Sequence, residues 1–252
     1  MFINAAIVVA VIVALSAMEL PIAIKYIFTP RNRKVQLCAE YEQRGAKVIF
    51  DLFRVFRGFR LSVTNPKRLR IPAQCMVISN HQSLLDILVL IRFLGIERKP
   101  RFVAKKELQF GVPLVSFTLR KGGHSLIQRH GAPIDTMKAI TKMAELCAES
   151  GACPTIFPEG TRSRNGSLGV FHAAGVRKIL DAEPLPVAAI AIDGGWKVAT
   201  IRGFLRKFGK VPYRVEVVKI YDAPRGKHEI AEMLADAQRE IGRSIAEMRA
   251  RD

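Results

Sequence analysis

The chain has 252 residues, 49% of them apolar, and its 40 Lys and Arg against 22 Asp and Glu give a formal charge of +18. That apolar share excludes a disordered chain, and the length is enough for one sizeable core with or without a membrane-contacting appendage. The positive excess points to an anionic counterpart (nucleic acid, an acidic lipid surface or a phosphorylated substrate) and does not choose among them.

The first seventeen residues after the initiator, Phe2 to Met18, form one apolar run broken only by Asn4 and Ser16, and a second apolar patch, Pro21 to Ile24, follows Glu19. That length is the short limit for crossing a bilayer, so residues 1–30 read as a hydrophobic membrane anchor, spanning or monotopic; a buried core helix is the other reading. No Lys or Arg precedes Lys25, which removes the charged start of a cleaved signal peptide, whereas Lys25, Arg31, Arg33 and Lys34 follow the run. This asymmetry puts the rest of the chain on the cytoplasmic side. In the next stretch Ile49, Leu52, Phe53, Phe56 and Phe59 recur at spacings of three and four, opposite Lys47, Arg54 and Arg57. Residues 31–70 therefore read as a basic amphipathic segment. It suits the surface of an anionic membrane, and an ordinary helix with its Phe face on the core fits the same pattern. From Lys25 to Arg70 there are twelve basic residues and three acids, Glu40, Glu42 and Asp51, which supports the lipid surface.

Beyond Ile71 the pattern alternates. Cys75 to Ser79, Phe102 to Ala104, Pro154 to Phe157, Val187 to Ile192 and Tyr213 to Tyr221 read as strands; Leu84 to Leu94 and Ile134 to Glu149 read as helices. Glu229 to Arg249 reads as an amphipathic helix with Ile230, Met233, Leu234, Ala237, Ile241 and Ile245 inward. Strands alternating with helices predict a layered α/β domain over residues 71–225, followed by a C-terminal helix in 226–252. Cys38, Cys75, Cys147 and Cys153 have neither Cys-x-x-Cys nor zinc-ligand spacing and read as reduced thiols.

The strongest local signal is Asn80-His81-Gln82-Ser83-Leu84-Leu85-Asp86, at the junction of a strand and a helix. An imidazole can take a proton from an attacking alcohol near neutral pH, and a carboxylate on its far nitrogen would fix the tautomer. Five residues within a continuous helix point about 140° apart. His81 therefore meets Asp86 only from the turn before the helix, and the Ser83-x-x-Asp86 spacing of a capping box puts Asp86 in the first turn. The plainer alternative is that Asp86 only caps the helix and His81 is a turn residue. A second signal is Phe157-Pro158-Glu159-Gly160-Thr161-Arg162-Ser163-Arg164, a strand running into a glycine-containing loop with two arginines. Guanidinium forks and backbone amides around Gly160 suit phosphate oxygens, with Glu159 orienting Arg162 or a substrate hydroxyl; an exposed charged turn is the alternative. His124, His130, His172 and His228 have no patterned partners and read as surface or loop residues, and Trp196 as a packing residue or interfacial anchor.

Together, Asn80-His81-x-x-x-x-Asp86 and Phe157-Pro158-Glu159-Gly160-Thr161-Arg162-Ser163 resemble the motif set of the 1-acylglycerol-3-phosphate O-acyltransferase (lysophosphatidate acyltransferase) family. Two fainter blocks agree in order: Gly123 to Arg129, with Arg129 at the position of the family's phosphate-binding arginine, and the proline-containing strand Leu185 to Ile190. Gln128 before the arginine, and Leu185-Pro186-Val187 where Val-Pro is commoner, depart from the pattern. The resemblance implies an α/β acyltransferase fold with a central mixed sheet and an N-terminal membrane-associated helical segment. It implies acyl-CoA or acyl-carrier protein as donor, lysophosphatidate as acceptor, and no metal or other cofactor. His81 and Asp86 would be the catalytic pair; Arg129, Glu159, Gly160, Thr161 and Arg162 would hold the acceptor. Anionic membrane lipids are the expected partners of the basic surface, and nucleic acid is not. Competing expectations are a different lysolipid acceptor, a membrane-bound thioesterase or hydrolase, and a non-enzymatic adaptor.

Overall fold

The computed structural model describes residues 2–128, 132–200, 203 and 211–251. Seven strands form one sheet in the order β1-β7-β6-β2-β5-β3-β4, with β1 Leu61–Thr64, β2 Met76–Ser79, β3 Pro100–Lys105, β4 Ser125–Ile127, β5 Cys153–Ile156, β6 Val187–Asp193 and β7 Tyr213–Tyr221. Every adjacent pair is parallel except β6 with β7, so the sheet is mixed. The central strands β2, β5 and β6 are buried along their whole length, as expected of parallel strands covered on both faces.

Successive side chains of a strand point to opposite faces, and the core divides accordingly. Val77, Ala188, Ile190 and Ile192 pack with residues of helices α1 (Phe2–Phe28), α2 (Lys34–Arg57), α3 (Leu85–Arg98) and the short α4 (Val115–Lys121). Met76, Ile78, Ala189 and Ala191 pack with α5 (Pro133–Ser150), α6 (Ala173–Ala182) and α7 (Gly226–Ala250). All six residues expected to face inward from the C-terminal helix are buried.

The N-terminal third favours the second of the two readings of the Phe-rich stripe and shifts one boundary. The Phe-rich stripe is core on most of its length: Ile49, Phe53 and Phe59 are buried, and only Phe56 is well exposed. The cause is local. Gly58 adopts a left-handed conformation (φ 62°), its N–H bonds to the Arg54 carbonyl, and the N–H of Phe59 bonds to the Phe53 carbonyl. This helix stop folds Phe59 back onto Phe53 and Phe50, with ring centroids 6.0 and 5.5 Å away. The chain then enters β1, which pairs with β7 from Leu61 to Thr64. A boundary drawn at residue 71 therefore cuts through the sheet.

One helix among the described residues, within α1 from Ala5 to Phe28, is long and apolar enough to cross a membrane. It buries a single stripe, Ile7, Leu15 and Ile22, whereas Val9, Ile12, Val13, Leu20 and Ile27 stay exposed. A helix docked along one side with an apolar outer face suits contact with lipid.

His124, expected on the surface or in a loop, lies in the loop just before β4 with its imidazole buried in an ionic cluster. Arg101, fully buried on β3, pairs with Glu42 of α2 at 3.0 Å, and His124 Nε2 lies 2.8 Å from Glu42. His124 Nδ1 accepts the Phe102 N–H at 3.0 Å, so Nε2 carries the proton given to Glu42. Burial acts to raise the Glu42 carboxyl, but Arg101 and His124 outweigh it and hold it below its usual range. Burial, joined by the Arg101 charge, lowers His124 despite Glu42. Arg101→Met strands a buried carboxylate and should cost about 3–5 kcal/mol. That corresponds to a fall of roughly 10 °C in Tm by thermal unfolding in detergent; a change of a degree or two would show that the cluster stabilises nothing.

Candidate active site

The loops that follow β2, β5 and β6 leave the sheet at its carboxyl edge, where α/β sheets commonly place their ligands. Asn80 extends β2 past its end: its amide donates to the Ile192 carbonyl and accepts the Ile192 N–H, both at 2.8 Å. This side-chain copy of a strand ladder fixes where the chain turns, and His81 is the next residue.

His81 Nδ1 lies 2.9 Å from Asp86 Oδ2. The imidazole is 13% exposed and the carboxylate fully buried. The pair meets as the turn geometry predicted, since α3 begins at Leu85 and leaves His81 outside the helix. Asp86 Oδ2 also accepts the N–H groups of Gln82 (2.6 Å) and Ser83 (2.8 Å). Asp86 thus caps the turn and holds the imidazole with the same oxygen. An ionised carboxylate only accepts hydrogen bonds, which puts the proton on Nδ1 and leaves the lone pair on Nε2. Among the described residues Nε2 has no hydrogen-bond partner. The face of the ring is fixed too, by Phe157, stacked 4.0 Å away at 13°.

Glu159, expected to orient Arg162 or a substrate hydroxyl, holds two backbone amides. It does not orient Arg162. Its Oε1 accepts the His81 N–H at 2.7 Å, and its Oε2 accepts the Gly169 N–H at 2.8 Å. Burial raises this carboxyl, and the two backbone donors pull the other way. Ser163 N–H donates to the His81 carbonyl at 2.8 Å, so the second motif grips the backbone of the first on both sides. Gly160 turns the loop at φ 64° and gives its N–H to the Phe157 carbonyl at 3.0 Å. That amide is therefore committed to the turn instead of to a phosphate. Thr161, Arg162 and Arg164 are exposed, and Arg162 and Arg164 have no ion-pair partner among the described residues. Arg129 lies outside the described residues.

Sequence reasoning missed four contributors. Tyr213, at the start of β7, donates a short hydrogen bond to Asp86 Oδ1 and lies 2.8 Å from the Ser83 hydroxyl. Gln82 reaches Asp193 at 3.1 Å, and Asp193 pairs with Arg249 of α7 at 2.6 Å. Arg249 also bonds the Gly166 carbonyl at 2.8 Å and lies 5.8 Å over the Trp196 ring, so Trp196 serves packing. Long-range partners of this kind leave no periodic or spacing signal.

These features define an α/β domain with an imidazole held by a buried carboxylate at the carboxyl edge of its sheet. The chain belongs to the Acyltransferase family, whose model matches residues 60–193. It is similar to the 1-acyl-sn-glycerol-3-phosphate acyltransferase of Pseudomonas aeruginosa, at 30% identity over 82% of this chain and 77% of that one. It is also similar to the human 1-acyl-sn-glycerol-3-phosphate acyltransferase beta, at 35% identity over 48% of this chain and 44% of that one. The match thus spans under half the length of the human relative. In fold it resembles the crystal structure of the 1-acyl-sn-glycerophosphate acyltransferase of Thermotoga maritima, with a TM-score of 0.74 at 17% identity, covering 99% of this chain and 95% of that one.

Proposed function

We propose that this protein transfers a fatty acyl group from acyl-CoA or acyl-carrier protein to the free hydroxyl of lysophosphatidate, giving phosphatidate. The observation that carries the reading is the free Nε2 of an imidazole whose Nδ1 is fixed on Asp86. The Pseudomonas relative, matched over most of both chains, supports the acceptor by its name. His81 Nε2 takes the hydroxyl proton as the oxygen attacks the thioester carbonyl. The tetrahedral intermediate collapses, the carbon–sulfur bond breaks, and the departing sulfur recovers the proton from His81. No acyl-enzyme, metal or further cofactor enters. Asp86 stabilises the imidazolium that forms in between.

Arg162, exposed on the loop whose other end grips His81, holds the acceptor phosphate and so fixes its hydroxyl near Nε2; Arg129 and Thr161 act with it. Gly160 contributes the turn. The outer face of α1 lies in lipid and the basic residues that follow keep the catalytic domain on the cytoplasmic face. Arg162→Ala should raise the acceptor KM about tenfold, the cost of one charge-assisted hydrogen bond, with a smaller effect on kcat. A KM change confined to the donor would remove Arg162 from the phosphate site.

The test of the function is an assay of purified protein with several lysolipids and both donor types, the lipid products weighed by mass spectrometry. Phosphatidate as the main product supports the proposal. Another acylated lipid changes the acceptor, and free fatty acid makes the protein a hydrolase.

A further inference from the structure

Tyr213 lies beyond residues 60–193, the segment shared with the family model, yet it touches the catalytic carboxylate directly. It is 1% exposed, its ring rests on Phe59 with centroids 5.8 Å apart, and its N–H bonds to the Arg60 carbonyl at 3.2 Å. The same helix stop that buries the Phe stripe therefore seats this phenol. Asp86 Oδ2 takes three donors: His81 Nδ1, Gln82 N–H and Ser83 N–H. Oδ1 takes the phenol O–H. The fit around that oxygen is close: a Cβ at Gly195 would run into the Tyr213 hydroxyl and come within 2.9 Å of Asp86 Oδ1.

We propose that Tyr213 is a positioning residue for acyl transfer, acting through Asp86. Its hydroxyl fixes the rotation of the carboxylate so that Oδ2 faces Nδ1, and it withdraws charge from the oxygens that polarise the imidazole. The phenol stays a donor throughout the working range, because burial and the adjacent Asp86 charge hold it protonated. The other charged groups facing this cluster are Glu159 from the β5 loop and Asp193 from the end of β6, the latter neutralised by Arg249 of α7. Neither reaches Oδ1, so among the described residues the phenol alone grades the carboxylate's strength from that side.

Without the phenol hydroxyl, Oδ1 is a buried acceptor with no donor, and the carboxylate attracts the imidazolium proton more strongly. More of the imidazole is then cationic, and unable to act as a base, at any given acidic pH. In Tyr213→Phe, kcat should fall roughly 10- to 100-fold with both KM values nearly unchanged. The acid limb of kcat/KM should move to higher pH. In an Asp86→Asn background the same substitution should cost little, because the charge it modulates is gone. A fall in activity with an unmoved acid limb, or full additivity with Asp86→Asn, overturns the proposal and makes Tyr213 a packing residue.

Should Tyr213→Phe fail to fold, Ser83→Ala removes the phenol's second partner and should move the limb in the same direction by less; an unmoved limb overturns the proposal there too. The inference rests on the acyl-transfer reading for its kinetics. NMR titration of the His81 ring in the full chain separates the two: the ring should titrate at higher pH in the variant even if the wild-type protein transfers no acyl group, and an unchanged titration overturns the proposal.

Discussion

His81→Ala is expected to remove nearly all turnover, by roughly 10²–10⁴-fold, the usual worth of a positioned general base. Among the described residues the truncated side chain makes one hydrogen bond, to Asp86, and one ring contact, to Phe157. Asp86 Oδ2 keeps the Gln82 and Ser83 amides, and Oδ1 keeps Tyr213, so no buried acceptor is orphaned. The backbone bonds of His81 to Glu159 and Ser163 do not involve the ring. The variant should therefore stay folded, with a Tm within a few degrees of the wild type. Steady-state rates with lysophosphatidate and acyl-CoA, read beside thermal unfolding, check both halves. Retention of a tenth of the wild-type rate would exclude His81 as the base.

Asp86→Asn is the second large effect, and it isolates charge from geometry. The carboxamide can turn its oxygen to His81, Gln82 and Ser83 and its amine to the Tyr213 oxygen, which can accept while it donates to Ser83. The tautomer and the turn survive and the negative charge does not. Loss of that stabilisation of the developing imidazolium should lower kcat by roughly 10²–10³-fold with KM little changed. Asp86→Ala should lose comparable activity and also destabilise the fold, since two backbone amides and a phenol lose their acceptor. If Asp86→Asn turned over normally, the carboxylate would be a cap and no more.

How far the sequence foretold this arrangement depended on the range of the interaction. β2, β5 and β6 are legible because buried strands write short apolar runs, β7 because its residues alternate, and α7 because its inward stripe has a clean helical period. The His81–Asp86 pair was legible because a turn followed by a first helical turn allows only one way for the two side chains to meet. β1 and β4 are short strands at the two edges of the sheet, and four residues such as Leu61–Thr64 look the same as the frayed end of an amphipathic helix. The Phe stripe had the right period for either a membrane or a core, and only the Gly58 turn decided between them. The contact of Glu159 with the amide of His81 was not legible, because the two residues lie 78 positions apart. Tyr213, 127 residues from Asp86, and the cluster of Glu42, Arg101 and His124 exist only through tertiary contacts of the same kind.

Acyl transfer by this route requires an imidazole with its proton on Nδ1 and its lone pair on Nε2 beside the buried carboxylate. Nitrogen-15 NMR of histidine-labelled protein at a pH where it turns over reads this directly. The His81 ring is expected to carry its proton on Nδ1, with a strongly deshielded proton resonance that disappears in Asp86→Asn. A His81 ring protonated on Nε2, or one indifferent to Asp86, would contradict that route.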